Sequence, residues 1–401
     1  MSTKIYVNLG ILFVFLVQCV SGQLNLQDRI DQIRLGVSAG FRILKNTSQI
    51  ISLENLGALG RDALYEIPGL TLMEALNKFC SLAILTDKDL GRYEKIKPDY
   101  DRLRLILYSS SENTSYSLGE MSKLVENPAF NKNDPVVIMV SGWLSNRKDK
   151  PNDPAIAIYN AYKCRGHTNF LLVDTDVFIS TLYSWSALNT EEIGKLIAPA
   201  IADLINYVNI SQIHVVGHSL GAQIAGAVGR HLQASTQKSL VRITGLDPAR
   251  PCFNQGEALT GLGRGDALFV DVIHTNSGGF GQKEPVGDVD FYPNGVKLHM
   301  PGCSRMSCSH SLSWKYYAES VYPGNEYGFL ATRCNSIYAY ARKLCSQKTI
   351  PMGYATPTTA KGNYFLTTNE HPPYGKNSKV STISNKCDSR KYITHFINNI
   401  S

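Results

Sequence analysis

Apolar residues along this chain follow two patterns, first helical spacing and then short unbroken runs. They recur every three or four positions from Leu26 to Leu44, which predicts an amphipathic helix. A second helix is predicted where Thr71 and Glu74 form a capping-box pattern ahead of an apolar face. From about residue 104 the apolar positions gather into short runs typical of buried strands. These runs are Leu105–Tyr108, Val136–Val140, Phe170–Val173, Ile213–Val216, Val241–Leu246 and Ala267–Ile273.

Stretches of helical spacing separate the strand-like runs, and this alternation predicts the fold class. Strands that alternate with helices favour an α/β fold, with a mostly parallel central sheet and helices on both of its faces. The chain then divides into four parts. We expect a signal peptide over 1–22, a helical extension over 23–95, the α/β domain over 96–372 and a tail over 373–401.

The first 22 residues have the features of a secretory signal. Lys4 precedes an apolar run from Leu9 to Val20, and small residues then lead to a cleavage point before Gln23. The run is too short to remain as a membrane-spanning helix, and no later segment reaches the roughly 18 apolar residues that one needs. We therefore expect a secreted, extracellular protein without a stable transmembrane anchor.

Composition and charge narrow the classes of partner. With 43% hydrophobic and 18% charged residues, the chain is expected to fold, and its net charge of +7 is mild for its length. No block of Lys and Arg is present, so nucleic acid is not an expected partner. Removal of Cys19 with the signal leaves eight cysteines, which suits disulfides outside the cell. Four sequons are candidate glycosylation sites, at Asn46, Asn113, Asn209 and Asn399.

The segment Ile213–Gly226 carries the clearest chemical signal. A β-branched run ends in Gly-x-Ser-x-Gly, and small and apolar residues continue at helical spacing, so the segment predicts a strand, a sharp turn and a helix. Ser219 lies at the turn. Gly217 and Gly221 remove the Cβ atoms that would clash there. The sequence therefore predicts Ser219 as a nucleophile above the carboxyl ends of the strands.

A serine nucleophile needs a base and an orienting carboxylate, which in this architecture follow it in the order Asp, then His. Asp247 directly follows the run Ile243–Leu246 and precedes Pro248, so it is the best carboxylate, although a loop-capping role fits the same pattern. Spacing does not choose the base. The candidates downstream of Asp247 are His274, His299, His310, His371 and His395.

The oxyanion of an ester hydrolase needs two backbone N–H donors. One is the N–H of the residue after the nucleophile, Leu220. The other comes from a loop after an earlier strand, and Ser141-Gly142-Trp143 follows the run Val136–Val140. Gly142 permits a close approach of the backbone, so the N–H of Trp143 is predicted to act with that of Leu220.

Several ordered motifs together resemble the pancreatic lipase family over about residues 100 to 372, closest to secreted insect lipases and sn-1-specific phospholipases. These motifs are Gly217–Ala222, Gly245–Ala249, Val272–Thr275, Asp290–Gly295, Pro301–Cys303 and Cys308–His310. The resemblance implies an α/β-hydrolase fold that needs no cofactor or metal. It also implies roles for five residues, namely Ser219 as nucleophile, Asp247 as acid, His310 as base, and Trp143 and Leu220 as oxyanion donors. His274 then becomes a structural neighbour.

The sequence also departs from the family pattern. Relatives usually have His-Gly before the oxyanion residue, where this chain has Ser141-Gly142. The digestive lipases carry a carboxy-terminal β-sandwich that recruits colipase. No such domain is expected after the α/β domain here, and neither is dependence on colipase.

The resemblance further implies disulfides. The pairs are Cys303 with Cys308, Cys334 with Cys345, and Cys80 with Cys164, the last of which would tie the extension to the α/β domain. Cys252 and Cys387 either pair or stay free, because sequence does not fix connectivity.

The function that these residues predict is a secreted serine esterase that releases fatty acid from glycerolipids at a membrane or lipoprotein surface. Both phospholipase A1 and triacylglycerol lipase activity fit. Only Ser304–Ser307 separates Cys303 from Cys308, where lidded members of the family carry an amphipathic helix, so phospholipid is favoured. The alternative is a storage or lipid-binding protein, because dipteran yolk proteins resemble this domain but lack the nucleophile.

Overall fold

The computed structural model describes residues 102–142, 153–175, 183–253 and 259–379. The predicted signal peptide, the helical extension and the sequence beyond residue 379 lie outside these ranges, so their predictions stay predictions. Within the described ranges, no helix is long and apolar enough to cross a membrane.

The described residues form eleven strands and seven α-helices. The strands are β1 Arg104–Tyr108, β2 Thr114–Ser117, β3 Val136–Val140, β4 Asn169–Asp174, β5 Ile213–His218, β6 Arg242–Leu246, β7 Val270–Ile273, β8 Val289–Pro293, β9 Leu330–Arg333, β10 Thr349–Pro351 and β11 Gly362–Leu366. The helices are α1 Met121–Glu126, α2 Asp153–Arg165, α3 Tyr183–Leu188, α4 Thr190–Leu204, α5 Leu220–Thr236, α6 Met306–Val321 and α7 Ile337–Ala341.

All the described strands belong to one sheet, in the order β10-β9-β11-β8-β7-β6-β5-β3-β4-β1-β2. Every pairing from β4 across to β11 is parallel. The antiparallel pairings involve β1 and β2 at one edge and β9 and β10 at the other. This arrangement confirms the predicted α/β fold with a mostly parallel sheet.

Helices cover both faces of the sheet because side chains alternate along each buried strand. In β3, Ile138 and Val140 join an apolar cluster that includes residues of α1, α4 and α5. Val137 and Met139 point the other way, into a cluster with residues of α2 and α6. The two helices that begin near the predicted nucleophile and base, α5 and α6, therefore lie on opposite faces.

Each predicted run contains a strand, but the apolar pattern missed some strands. The strand in Ala267–Ile273 begins only at Val270, because Leu268 is exposed ahead of it. In β8 the buried Asp290 interrupts the apolar run, so that strand was not predicted from pattern. The short strands β2, β9 and β10, at or next to the edges of the sheet, have three or four residues each, too few to give a period.

The disulfides follow the family pairing where the structure describes both cysteines. Cys303 bonds Cys308, and Cys334 bonds Cys345, so both predicted pairs are confirmed. Cys164 and Cys252 are also disulfide-bonded, and the alternative of a free Cys252 is therefore wrong. Their predicted partners, Cys80 and Cys387, lie outside the described residues.

Candidate active site

Ser219 occupies a strained turn between β5 and α5. Its φ of 57° and ψ of −122° lie outside the regions that L residues normally adopt. Two main-chain hydrogen bonds hold the turn, from Ser219 N to Leu246 O at 3.0 Å and from Ala222 N to Ser219 O at 3.1 Å. This is the backbone geometry of a nucleophile elbow, which lifts a serine hydroxyl above the sheet.

Glycines permit the close contacts around this elbow. A Cβ at Gly221 would lie 2.1 Å from the carbonyl oxygen of Val140, and one at Gly217 would lie 2.5 Å from Cα of Ala222. Either atom would force the backbone apart. Glycine at 221 therefore lets α5 pack against the end of β3, and glycine at 217 lets β5 pack against the start of α5.

Asp247 lies fully buried where β6 ends, with a φ of 47°. Its Oδ1 accepts hydrogen bonds from the backbone N–H groups of Thr275 at 2.8 Å and Asn276 at 3.0 Å. The loop-capping interpretation of Asp247 is thus correct for one carboxylate oxygen. Because the cap uses Oδ1, the carboxylate is held with Oδ2 turned toward a different partner.

That partner is His310, in the second turn of α6. The distance between His310 Nδ1 and Asp247 Oδ2 is 2.5 Å, and a carboxylate requires the Nδ1 proton for this bond. The imidazole also lies 4.8 Å, centroid to centroid, from the ring of His218, the residue before Ser219. The structure therefore brings His310 and Asp247 together beside the elbow that carries Ser219.

His274, the other strand-end histidine, is fully buried in a separate network. Its Nε2 lies 2.8 Å from Asp290 Oδ1, and its Nδ1 lies 3.0 Å from the carbonyl oxygen of Gln282. Its ring stacks on that of Tyr292, with centroids 4.6 Å apart. Acceptors occupy both ring nitrogens, so neither nitrogen is available to take a proton from a serine.

The remaining candidate histidines do not compete for the role of base. His299 and His371 are exposed, and His395 lies outside the described residues. His218 is buried, and its pKa lies well below the ordinary value because burial disfavours its charged form and the nearby His310 adds to the effect. His218 therefore stays neutral against the elbow.

One of the two predicted oxyanion donors lies in the described part of the chain. Leu220 is the first residue of α5, and the first N–H groups of a helix have no acceptor within it. Trp143 lies outside the described residues. The backbone that leads to it runs against Ser219, since a Cβ at Gly142 would lie 2.6 Å from Cβ of Ser219.

Several supporting groups carry no signal in the sequence pattern. The N–H groups that bind Asp247 are backbone atoms of Thr275 and Asn276, and backbone donors leave no residue signature. Phe280 lies 5.7 Å from the His310 ring, centroid to centroid, within a loop that periodicity does not describe. Only the family motif that includes Thr275 pointed toward this loop.

The chemistry of the described site is that of a serine and an imidazole. Among the described residues, no group of three or more His, Cys, Asp or Glu side chains is placed to hold a metal ion. The arrangement offers an elbow serine, an imidazole whose Nδ1 is held by a buried carboxylate, and a helix N-terminus. Such a set is suited to attack on a carbonyl carbon.

Comparison with known proteins points to the same chemistry. A family model described as Lipase matches residues 85–374. Vitellogenin-1 of Ceratitis capitata is 38% identical over 212 residues, which cover 52% of this chain and 48% of that protein. Pancreatic lipase-related protein 2 of Myocastor coypus is 31% identical over 315 residues, which cover 68% of this chain and 64% of that protein. Pancreatic triacylglycerol lipase of Sus scrofa is 31% identical over 272 residues, which cover 60% of this chain and 58% of that protein. The chain thus spans between about half and two thirds of the length of these relatives.

Proposed function

We propose that this chain, which belongs to the lipase family, is a secreted serine esterase that releases fatty acid from glycerolipids through an acyl-enzyme. The observation that carries the proposal is the bond from His310 Nδ1 to Asp247 Oδ2 beside the strained turn at Ser219. A storage protein gains nothing from keeping a serine in this backbone conformation, which is costly for an L residue.

The acylation half-reaction uses all of these groups. Ser219 Oγ attacks the ester carbonyl carbon, and the hydroxyl proton passes to His310 Nε2. Asp247 keeps the proton on Nδ1 and stabilises the imidazolium that forms. The N–H groups of Leu220 and Trp143 bind the oxyanion. When the carbon–oxygen bond to glycerol breaks, His310 returns the proton to the departing alcohol.

Deacylation repeats the sequence with water as the nucleophile. A water molecule gives a proton to His310 Nε2 and attacks the acyl carbon. The tetrahedral intermediate collapses, the bond to Ser219 Oγ breaks, and the serine recovers its proton from His310. The products are a fatty acid and the resting enzyme, so no redox partner or cofactor enters the balance.

The favoured substrate class is phospholipid. The disulfide between Cys303 and Cys308 spans a sequence separation of only five, so the segment before α6 is a short loop that ends at the exposed Arg305. Four residues make barely one helical turn and cannot form an amphipathic lid. Arg305 lies one helical turn before Ser309, and its cation suits a polar, anionic head group. Triacylglycerol hydrolysis is the near alternative.

A second candidate function is lipid binding or storage with little or no turnover. The observation in its favour is the 38% identity with a vitellogenin over 212 residues. In that case the elbow and the His310–Asp247 pair would remain as parts of the fold.

Labelling with a fluorophosphonate separates these two functions. Secreted, full-length protein should form a covalent serine adduct, and the Ser219→Ala protein should form none. Peptide mass spectrometry should place the adduct on Ser219. If the parent protein remained unlabelled while an active lipase in the same tube reacted, the esterase proposal would be wrong and the storage function would replace it.

A further inference from the structure

We propose that the loop closed by the Cys334–Cys345 disulfide docks this protein on an anionic lipid surface. The docking loop is defined as residues 333–348, and it contains the short helix α7. The proposal rests on the proposed function only in that it takes the surface to be the one that holds the substrate. The binding step itself needs no turnover.

The docking loop exposes large apolar side chains that the fold does not use. Ile337 is 45% exposed, Tyr338 is 61% exposed and Leu344 is 70% exposed. All three lie within eight positions of one another. Clustered exposed apolar groups cost free energy in water, and they commonly mark a surface that meets a partner or a membrane.

The docking loop also carries four cations and no acidic residue. The docking loop contains Arg333, Arg342, Lys343 and Lys348, and no Asp or Glu occurs between residues 331 and 350. In the described part of the chain, none of the four forms an ion pair. The guanidinium of Arg342 lies 4.1 Å above the ring of Tyr338, so charge and apolar surface are next to each other.

The tip of the docking loop is fixed in place, so it can dock without first ordering itself. The disulfide closes its base across eleven positions. Ser336 Oγ accepts a hydrogen bond from Ala339 N at 3.1 Å, which caps α7. The ring of Tyr340 stacks on Phe365 of β11, with centroids 4.7 Å apart. A surface that is preorganised in this way loses little conformational entropy on binding.

The docking loop also reaches the end of the sheet where the parallel strands have their carboxyl termini and where the candidate active site lies, which we call the active-site edge. A Cβ at Gly295, just after β8, would lie 3.4 Å from Ile337 Cδ1. Strands β5, β6, β7 and β8 run parallel, so Gly295 after β8 and Ser219 after β5 both lie at the carboxyl ends of the strands. Three inter-strand spacings, about 14 Å, separate the two strands. A lipid surface bound by the docking loop would therefore lie beside the catalytic groups.

Leu268, the other highly exposed leucine of the described residues, does not share this position. Leu268 is 71% exposed, but its N–H bonds Leu240 O ahead of β6, at the opposite edge of the sheet. The segment between Cys303 and Cys308 is too short to supply an apolar surface. The docking loop thus combines exposed apolar groups with uncompensated positive charge. Its base lies toward the amino end of β11, where Cys334 N bonds Asn363 O, and Ile337 reaches the carboxyl ends of the strands beside Gly295.

The mixture of apolar and cationic groups favours lipid over a soluble polyanion. A sulfated polysaccharide would use the four cations and leave Tyr338 and Leu344 in water. A bilayer with anionic head groups takes both, since the side chains enter the boundary of the acyl chains while the cations meet phosphate.

Flotation with phosphatidylcholine vesicles, with and without phosphatidylglycerol, tests the proposal. The full chain carries Ser219→Ala in every sample, so that no lipid is consumed. Tyr338→Ser with Leu344→Ser removes the apolar part, and Arg342→Gln with Lys343→Asn removes charge. Leu268→Ser is the matched control, because it removes an equally exposed leucine from the far edge.

We expect binding to the anionic vesicles, weaker binding to pure phosphatidylcholine, and unchanged binding by Leu268→Ser. The apolar pair should weaken binding about tenfold or more. The charge pair should weaken it about fivefold for each cation removed. Circular dichroism should give the same folded spectrum for all variants.

The docking proposal is wrong if the loop variants bind like the parent, or if Leu268→Ser loses as much binding as they do. Binding to immobilised heparin without binding to vesicles would also overturn it, in favour of a polyanion. The proposed function is judged separately. A protein that binds vesicles but takes up no fluorophosphonate docks without catalysis, whereas one that takes up the probe but ignores vesicles is an esterase with a different docking surface.

Discussion

His310 and Asp247, which are 63 positions apart in the chain, meet through a 2.5 Å hydrogen bond from Nδ1 to Oδ2. The two residues come from different parts of the fold, Asp247 from the end of β6 and His310 from α6. The bond fixes the proton of the imidazole on Nδ1 and leaves Nε2 as the acceptor. In the proposed mechanism, Nε2 takes the proton of Ser219, so the first predictions concern these three side chains.

Replacing Ser219 with Ala should lower ester hydrolysis about 10⁶-fold, because the hydroxyl is the atom that forms the acyl-enzyme. The urea midpoint should stay close to that of the parent, since the change removes one oxygen and leaves the backbone turn intact. Steady-state rates on a soluble ester and equilibrium unfolding would measure both quantities. Parental activity in this variant would refute the assignment of the nucleophile.

Asp247→Asn should reduce kcat about 10⁴-fold while the protein stays folded. The side-chain oxygen of Asn can still accept from Thr275 and Asn276, so the loop cap survives. Its amide group, however, favours the tautomer of His310 that carries the proton on Nε2. We expect KM to change little in the same assay. A variant with near-parental kcat would show that Asp247 only supports the loop.

His310 and His274 should respond differently to replacement. His310→Ala should abolish turnover in a folded protein. His274→Ala leaves the buried Asp290 with backbone donors only and without its histidine partner, so it should lower the free energy of unfolding by about 3 kcal/mol. Chemical denaturation beside an activity assay would separate the two effects. The reverse pattern, a folded but inactive His274 variant and an active His310 variant, would exchange their roles.

A buried ion pair between β6 and β7 should matter for stability rather than for catalysis. Arg242 donates from Nε and Nη2 to the two carboxylate oxygens of Asp271, each at 2.8 Å. Asp271→Ala would leave the buried guanidinium without its carboxylate partner. It should lower the free energy of unfolding, measured in urea, by about 3 to 5 kcal/mol. Glu192→Ala breaks an exposed pair with Lys195 and is the control, with an expected cost below about 1 kcal/mol. Equal costs would contradict this prediction.

The short segment between Cys303 and Cys308 predicts the response to a lipid interface. Without an amphipathic lid to displace, the rate on a short-chain substrate should rise smoothly through the micellar threshold. Phosphatidylcholine and triacylglycerol should be compared under matched conditions, with the released position resolved by mass spectrometry. A sharp jump at the threshold, with no cleavage of phospholipid, would be inconsistent with the proposed substrate class.

Local sequence predicted the central elements and the candidate nucleophile because the relevant signals are local. Unbroken apolar runs predicted the central strands, since a strand buried on both faces leaves no polar position. The elbow at Ser219 was readable for a similar reason, because a strand, a glycine-flanked serine and a helix follow one another within fourteen residues. The short edge strands and β8, interrupted by Asp290, lacked such a signal.

The tertiary structure decided what spacing could not. Five histidines were possible partners of Asp247, and the folded chain brings His310 to Oδ2 while it occupies both nitrogens of His274. The family resemblance named His310 by analogy, and the structure supplies the contact. The exposed groups of the docking loop likewise became visible only in three dimensions, because exposure depends on what the rest of the chain covers. Contacts between distant positions are set by how strands and helices pack, and that packing is a property of the whole fold.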